Sequence, residues 1–159
     1  AHQSSADENP RNYQAWYSRV SAGVSYRRLS LTLSQERLGS DNGAGFITPF
    51  ATLHRYQGWA DKFVALTPDQ GLVDTNITLA GRFPGVRYRL QYNDFSTVKG
   101  SNTIGSEIGA HIQWRIDKQY FVELKYADYQ ANKGAISATG VAGLDSDTRR
   151  LFLSVAAKY

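Results

Sequence analysis

An all-β chain, folded as an antiparallel transmembrane β-barrel with long extracellular loops, is predicted by three observations. Apolar and polar residues alternate with period two over segments of roughly 9 to 12 residues, the length a tilted strand needs to cross a bilayer. Connections alternate between very short and long, so every short turn falls at one end of the sheet, as in outer-membrane barrels. The composition, with Tyr 10, Phe 7 and Trp 3 against Pro 4, favours strands over helices.

The remaining composition narrows the chemistry. The length of 159 residues fits a single domain. Zero Cys removes thiol catalysis, thiolate zinc sites and disulfides together. No stretch of 18 consecutive apolar residues offers a transmembrane helix. A net charge of +4 permits an anionic partner, yet the excess of 18 basic over 14 acidic residues does not call for nucleic acid.

Along the chain, the opening segment AHQSSADENP reads as the end of a strand. From Trp16, the apolar positions Val20, Ala22, Val24 and Tyr26 alternate with Tyr17, Arg19, Ser21, Gly23, Ser25 and Arg27. After the Arg27-Arg28 turn, Leu29, Leu31 and Leu33 oppose Ser30, Thr32, Ser34 and Glu36. Residues 39–71 show no sustained period and form a long loop. Alternation returns at Thr75, Ile77 and Leu79, and a tight turn at Pro84-Gly85 leads into Val86, Tyr88, Leu90 and Tyr92. A medium loop precedes Ile104, Ile108, Ala110, Ile112, Trp114 and Ile116, all read onto one apolar face. A turn at Asp117-Lys118-Gln119 leads to Tyr120, Val122, Leu124 and Tyr126. A second long loop, 130–146, precedes the final alternation of Leu151, Leu153, Val155, Ala157 and Tyr159. About seven strands result.

The apolar face carries aromatics near strand ends and aliphatics between them, as at Trp16 and Tyr26 around Val20 to Val24. Amphipathic rings are most stable at the headgroup level, so this face is expected to meet lipid. The other face then lines a wet lumen. Arg19, Arg82, Arg87, Arg89, Arg115, Lys125 and Arg150 are the expected lumenal groups for an anionic solute, outnumbering Glu36, Asp74, Glu107 and Glu123. The 39–71 loop, apolar enough to pack, is the candidate constriction, with Arg55, Tyr56, Trp59, Asp61 and Lys62 available to a solute.

A soluble or small barrel binding a small ligand also alternates, but its apolar face is a packed core. A barrel enzyme is the other alternative. Only Glu107 and His111 share a face at short spacing, and four strand residues separate them by about 13 Å, so no catalytic residue is assigned. No metal site or cofactor is expected, since the three His are far apart and SDNGAG lacks the spacing and closing Glu of a calcium loop.

ATLHRYQGWADKF (51–63), YNDF (92–95), LKYADY (124–129) and DTRRLFLSV (147–155) resemble, in order and spacing, the alginate-export family of bacterial outer-membrane porins. The resemblance implies an anion-selective channel for uronate or alginate-type saccharides in the bacterial outer membrane. Implied partners are the lipid bilayer, anionic small molecules or polysaccharide, and the barrel assembly machinery acting on the C-terminal strand. It also implies a barrel of about eighteen strands. Residues 1–159 are then expected to be the C-terminal part of one larger barrel domain.

Overall fold

The computed structural model describes residues 1–5, 12–48, 57–63, 67–133, 139, 141 and 143–157. Among the described residues the chain is all-β, with no helix. In chain order the strands are β1 (His2–Ser4), β2 (Gln14–Tyr26), β3 (Leu29–Leu38), β4 (Ser40–Asp41), β5 (Ala44–Gly45), β6 (Leu72–Phe83), β7 (Val86–Ser96), β8 (Thr103–Arg115), β9 (Tyr120–Ala131) and β10 (Thr148–Ala157). Eight of them make one antiparallel sheet in the order β1-β2-β3-β6-β7-β8-β9-β10, open at β1 and β10. The seven long strands run 10 to 13 residues. The eighth member is the short β1, on the opening segment.

The alternation governs the register. Val24, Leu31, Leu79, Leu90, Ala110, Tyr126 and Leu151 occupy one row across all seven long strands. The next row towards the short turns is Tyr26, Leu29, Gly81, Tyr88, Ile112, Leu124 and Leu153. Both rows lie on a face left open: Val20, Leu151, Leu153 and Val155 are each 68% exposed or more. Towards the long loops this face turns polar, at Gln35, Thr75, Asp94 and Ser106 in one row and, one row nearer the turns, at Asp128 and Arg149. From Ile108 to Ile116 the apolar stretch spans eight residue steps, about 27 Å along a strand and about 21 Å in projection at a tilt near 40°.

The core sits elsewhere, on the opposite face at the long-loop end. Ala15, Leu38, Leu72, Phe95 and Tyr129 project there and bury against Phe46, Trp59, Ala60, Phe63 and Leu144 from the long connections. Phe63 meets Phe95 at 4.7 Å between ring centroids, and Phe95 meets Tyr129 at 6.1 Å.

Two sequence expectations need correction. Ile104, read onto the outer apolar row, is fully buried in this core. Phe95 pairs with Gly105 and Ser96 with Thr103, so Ile104 is the extra residue of a β-bulge and leaves the outer row. The 39–71 segment is also not loop throughout, because β4 and β5 form a ribbon turned by Asn42 and Gly43. Both turn residues have positive φ, 49° and 71°, which Asn and Gly tolerate best. Strands β6, β7 and β9 run further towards the long loops than the alternation indicates, since Leu72 pairs with Leu38, Ser96 with Val73 and Gln130 with Ser106 in the ladders.

Candidate functional site

Every second residue of each long strand projects to the polar face, and the register groups these side chains by height. Next to the long loops lies an acidic belt: Arg19, Glu36 and Asp74 share a row, and Ser21, Ser34, Asn76, Asn93 and Glu107 share the row below. Glu36, Asp74 and Glu107 are buried. Desolvating carboxylates this far requires donors on them, and each has one. Tyr17 donates its hydroxyl to Glu36 at 2.7 Å, and Gln57 reaches the same carboxylate at 3.4 Å. Asn93 donates to both oxygens of Asp74, at 2.8 and 3.1 Å, and takes a bond from Asn76 at 3.1 Å.

Glu107 grips the long connection directly. Its two oxygens accept the backbone N–H of Trp59 at 2.5 Å and of Ala60 at 3.0 Å. Gly58 makes that approach possible. Its φ is +81°, and a Cβ there would collide with the Glu107 carboxylate. The Trp59 indole, 3% exposed, then lies over Gly109, where a Cβ would come within 2.7 Å of the ring, and meets His111 edge-on at 6.0 Å.

Three of the five loop residues expected to face a solute are instead held by protein groups. Trp59 is buried. Asp61 accepts from Arg150 at 2.5 Å, joining positions 89 residues apart. Lys62 donates to the Gly143 and Ser146 carbonyls, each at 2.8 Å, and its ammonium stands 4.9 Å from the Tyr129 ring. Burial, then the Arg150 charge, holds this ammonium below its ordinary pKa. Tyr129 donates in turn to Leu144 O at 3.0 Å. The other two, Arg55 and Tyr56, lie outside the described residues, as does the terminal Tyr159.

The seven expected lumenal cations divide by partner and height. Arg150 is paired with Asp61, and Lys125 with Glu123 at 3.0 Å, which His111 also approaches at 3.3 Å. Arg19 sits opposite Glu36 in the acidic belt. Arg82, Arg87, Arg89 and Arg115 gather at the short-turn end, around two adjoining cavities of about 530 and 400 Å³. A third cavity of about 390 Å³, bounded by Glu36, Asp74, Gln57, Trp59, Arg19 and Arg89, joins the belts beneath the docked segment. The polar face is therefore graded along the strands, acidic under the loop and basic at the turns. His111 has its nearest carboxylate in Glu123, while Glu107 is spent on backbone donors. Among the described residues no three acidic or histidine side chains come together to hold a metal ion.

The acidic belt's grip on the loop is what sequence reasoning missed. Its only trace in the sequence is that three of the four carboxylates on a mainly basic face are Glu36, Asp74 and Glu107. No protein-family model, curated protein or solved structure matches the chain.

Proposed function

We propose that the chain forms part of the wall of an outer-membrane channel that passes anionic solutes, its apolar face against lipid and its polar face against water. The observation that carries this is the inverted burial. Registered rows of Leu, Ile, Val and aromatic residues are exposed, while Glu36, Asp74, Asn93 and Glu107 are buried on the other face. A soluble barrel would bury the apolar rows in a core. Exposed apolar surface of this extent, bordered by Tyr26, Tyr88, Trp114 and Tyr120 at one end and by Trp16 and Tyr92 near the other, suits a bilayer with its aromatic girdles.

The open edges at β1 and β10 bear on the architecture, because unpaired strand edges are not tolerated in hydrocarbon. Further strands therefore complete the wall, as in the larger barrel of the alginate-export porins that the sequence motifs resemble. In that setting the 57–63 segment, lodged on the polar face, narrows the lumen from the side of the long loops, and the basic cluster faces the solute at the other end. Assembly would recruit the barrel machinery through the last strand. The reading assigns no catalytic group and no cofactor.

Reconstitution of the closed barrel, this chain together with the strands that complete it, into planar bilayers under a salt gradient tests this reading. Anion-selective conductance is expected. A folded, membrane-inserted protein that selects cations, or a chain that fractionates away from the outer membrane and lacks heat-modifiable migration, overturns it.

A further inference from the structure

The cavity of about 530 Å³ at the short-turn end has an unusual electrostatic composition. Arg27, Arg28, Arg82, Arg87 and Arg89 line it together with serine hydroxyls, and no described lining residue is a carboxylate. None of the five arginines forms an ion pair with a described acidic group, in contrast to Arg149 with Asp128 and Arg150 with Asp61. Moreover, Arg82 and Arg87 stand directly opposite one another across the β6–β7 hairpin. Like charges at such a position are destabilising, and Arg89, two residues further on the same face, adds a third.

We propose that this cavity is a binding site for soluble polyvalent oxyanions, phosphate esters and pyrophosphate in chemical class. A guanidinium fork pairs bidentately with two oxygens, so one arginine satisfies a monocarboxylate and leaves the rest of the cluster repelling itself. A phosphoryl group carries about two charges on three oxygens, and two linked groups engage several forks at once. The mutual repulsion at Arg82 and Arg87 is then relieved by the ligand, which makes binding steeper in ligand charge than a single contact would. Assigning the site to a permeation path rests on the channel reading; the binding itself does not require a pore.

Calorimetric titration of the full chain in nonionic detergent, at fixed ionic strength, tests the site with pyrophosphate and with acetate as probes. Pyrophosphate should bind at least tenfold more tightly. The triple variant R82Q/R87Q/R89Q should lose at least tenfold in pyrophosphate affinity, while R149Q, on the apolar face, should bind as the parent does. Should the triple variant not refold, R87Q alone serves, since it removes a like-charge contact at an exposed position, and a threefold or greater loss is expected. Equal affinity for the two probes, or unchanged binding by the arginine variants, overturns the site. Displacement of pyrophosphate by phosphatidylglycerol added to the micelles overturns the assignment to a soluble ligand, because a lipid headgroup is then the occupant. Anion-selective conductance with arginine-independent binding removes this site and leaves the channel. Arginine-dependent binding without conductance does the reverse.

Discussion

Glu107, 1% exposed, holds the backbone of a segment 47 and 48 residues away. Both of its oxygens are occupied by N–H donors, so Glu107→Gln replaces one acceptor by an amide that can only donate. A buried N–H is left unpaired, and a loss of about 1 to 3 kcal/mol in folding stability is expected from denaturant titration in vesicles. Gly58→Ala acts on the same contact from the other side, by forcing a Cβ onto the carboxylate at a φ that alanine disfavours. The segment should release, exposing Trp59, and acrylamide should quench that tryptophan more strongly than in the parent. If Trp59 stays shielded in Gly58→Ala, the contact does not hold the segment.

Among the strands, facing decides the outcome of a substitution, and β8 offers the clearest comparison. Ile112 lies between Tyr88 and Leu124 on the exposed apolar face, whereas its neighbour Gln113 lies between Arg87 and Glu123 on the polar face. Arginine at Ile112 should cost about 2 to 4 kcal/mol in lipid, and arginine at Gln113 far less. Equal losses in folding titrations would mean that the alternation does not report a membrane face. Much of this was legible in the sequence: period two from Trp16 to Tyr26, and tight turns at Arg27-Arg28 and Pro84-Gly85, locate the hairpins because both signals are local. The β4–β5 ribbon was missed: Asn42-Gly43 is a turn signal, but two-residue strands are too short to show a period. The bulge at Ile104 was not legible, since one extra residue leaves the apolar composition intact while changing which side it faces. Nor was the docking of the long connection, whose bonds join Trp59 to Glu107 and Asp61 to Arg150, positions far apart with no local signature.

At the scale of the whole molecule, the two faces and the charge gradient along one of them make a single prediction about permeation. Because Lys125 and Arg150 have carboxylate partners while Arg82, Arg87 and Arg89 have none among the described residues, anion preference should depend on the second group. Neutralising Arg82, Arg87 and Arg89 should lower the anion-to-cation permeability ratio in bilayers more than neutralising Lys125 does. An equal effect of the two changes would show that pairing does not govern the lumenal field. All of this presupposes that the apolar rows meet lipid, and two of the chain's own tryptophans report on that. Trp114 is exposed on the apolar face, and Trp59 is buried on the polar one. The most direct measurement is fluorescence quenching by lipids brominated on their acyl chains, applied to the vesicle-inserted variants W16F/W59F and W16F/W114F. Strong quenching of Trp114 with little quenching of Trp59 is the predicted result; Trp59 quenched as strongly as Trp114, or Trp114 left unquenched in inserted protein, would contradict it.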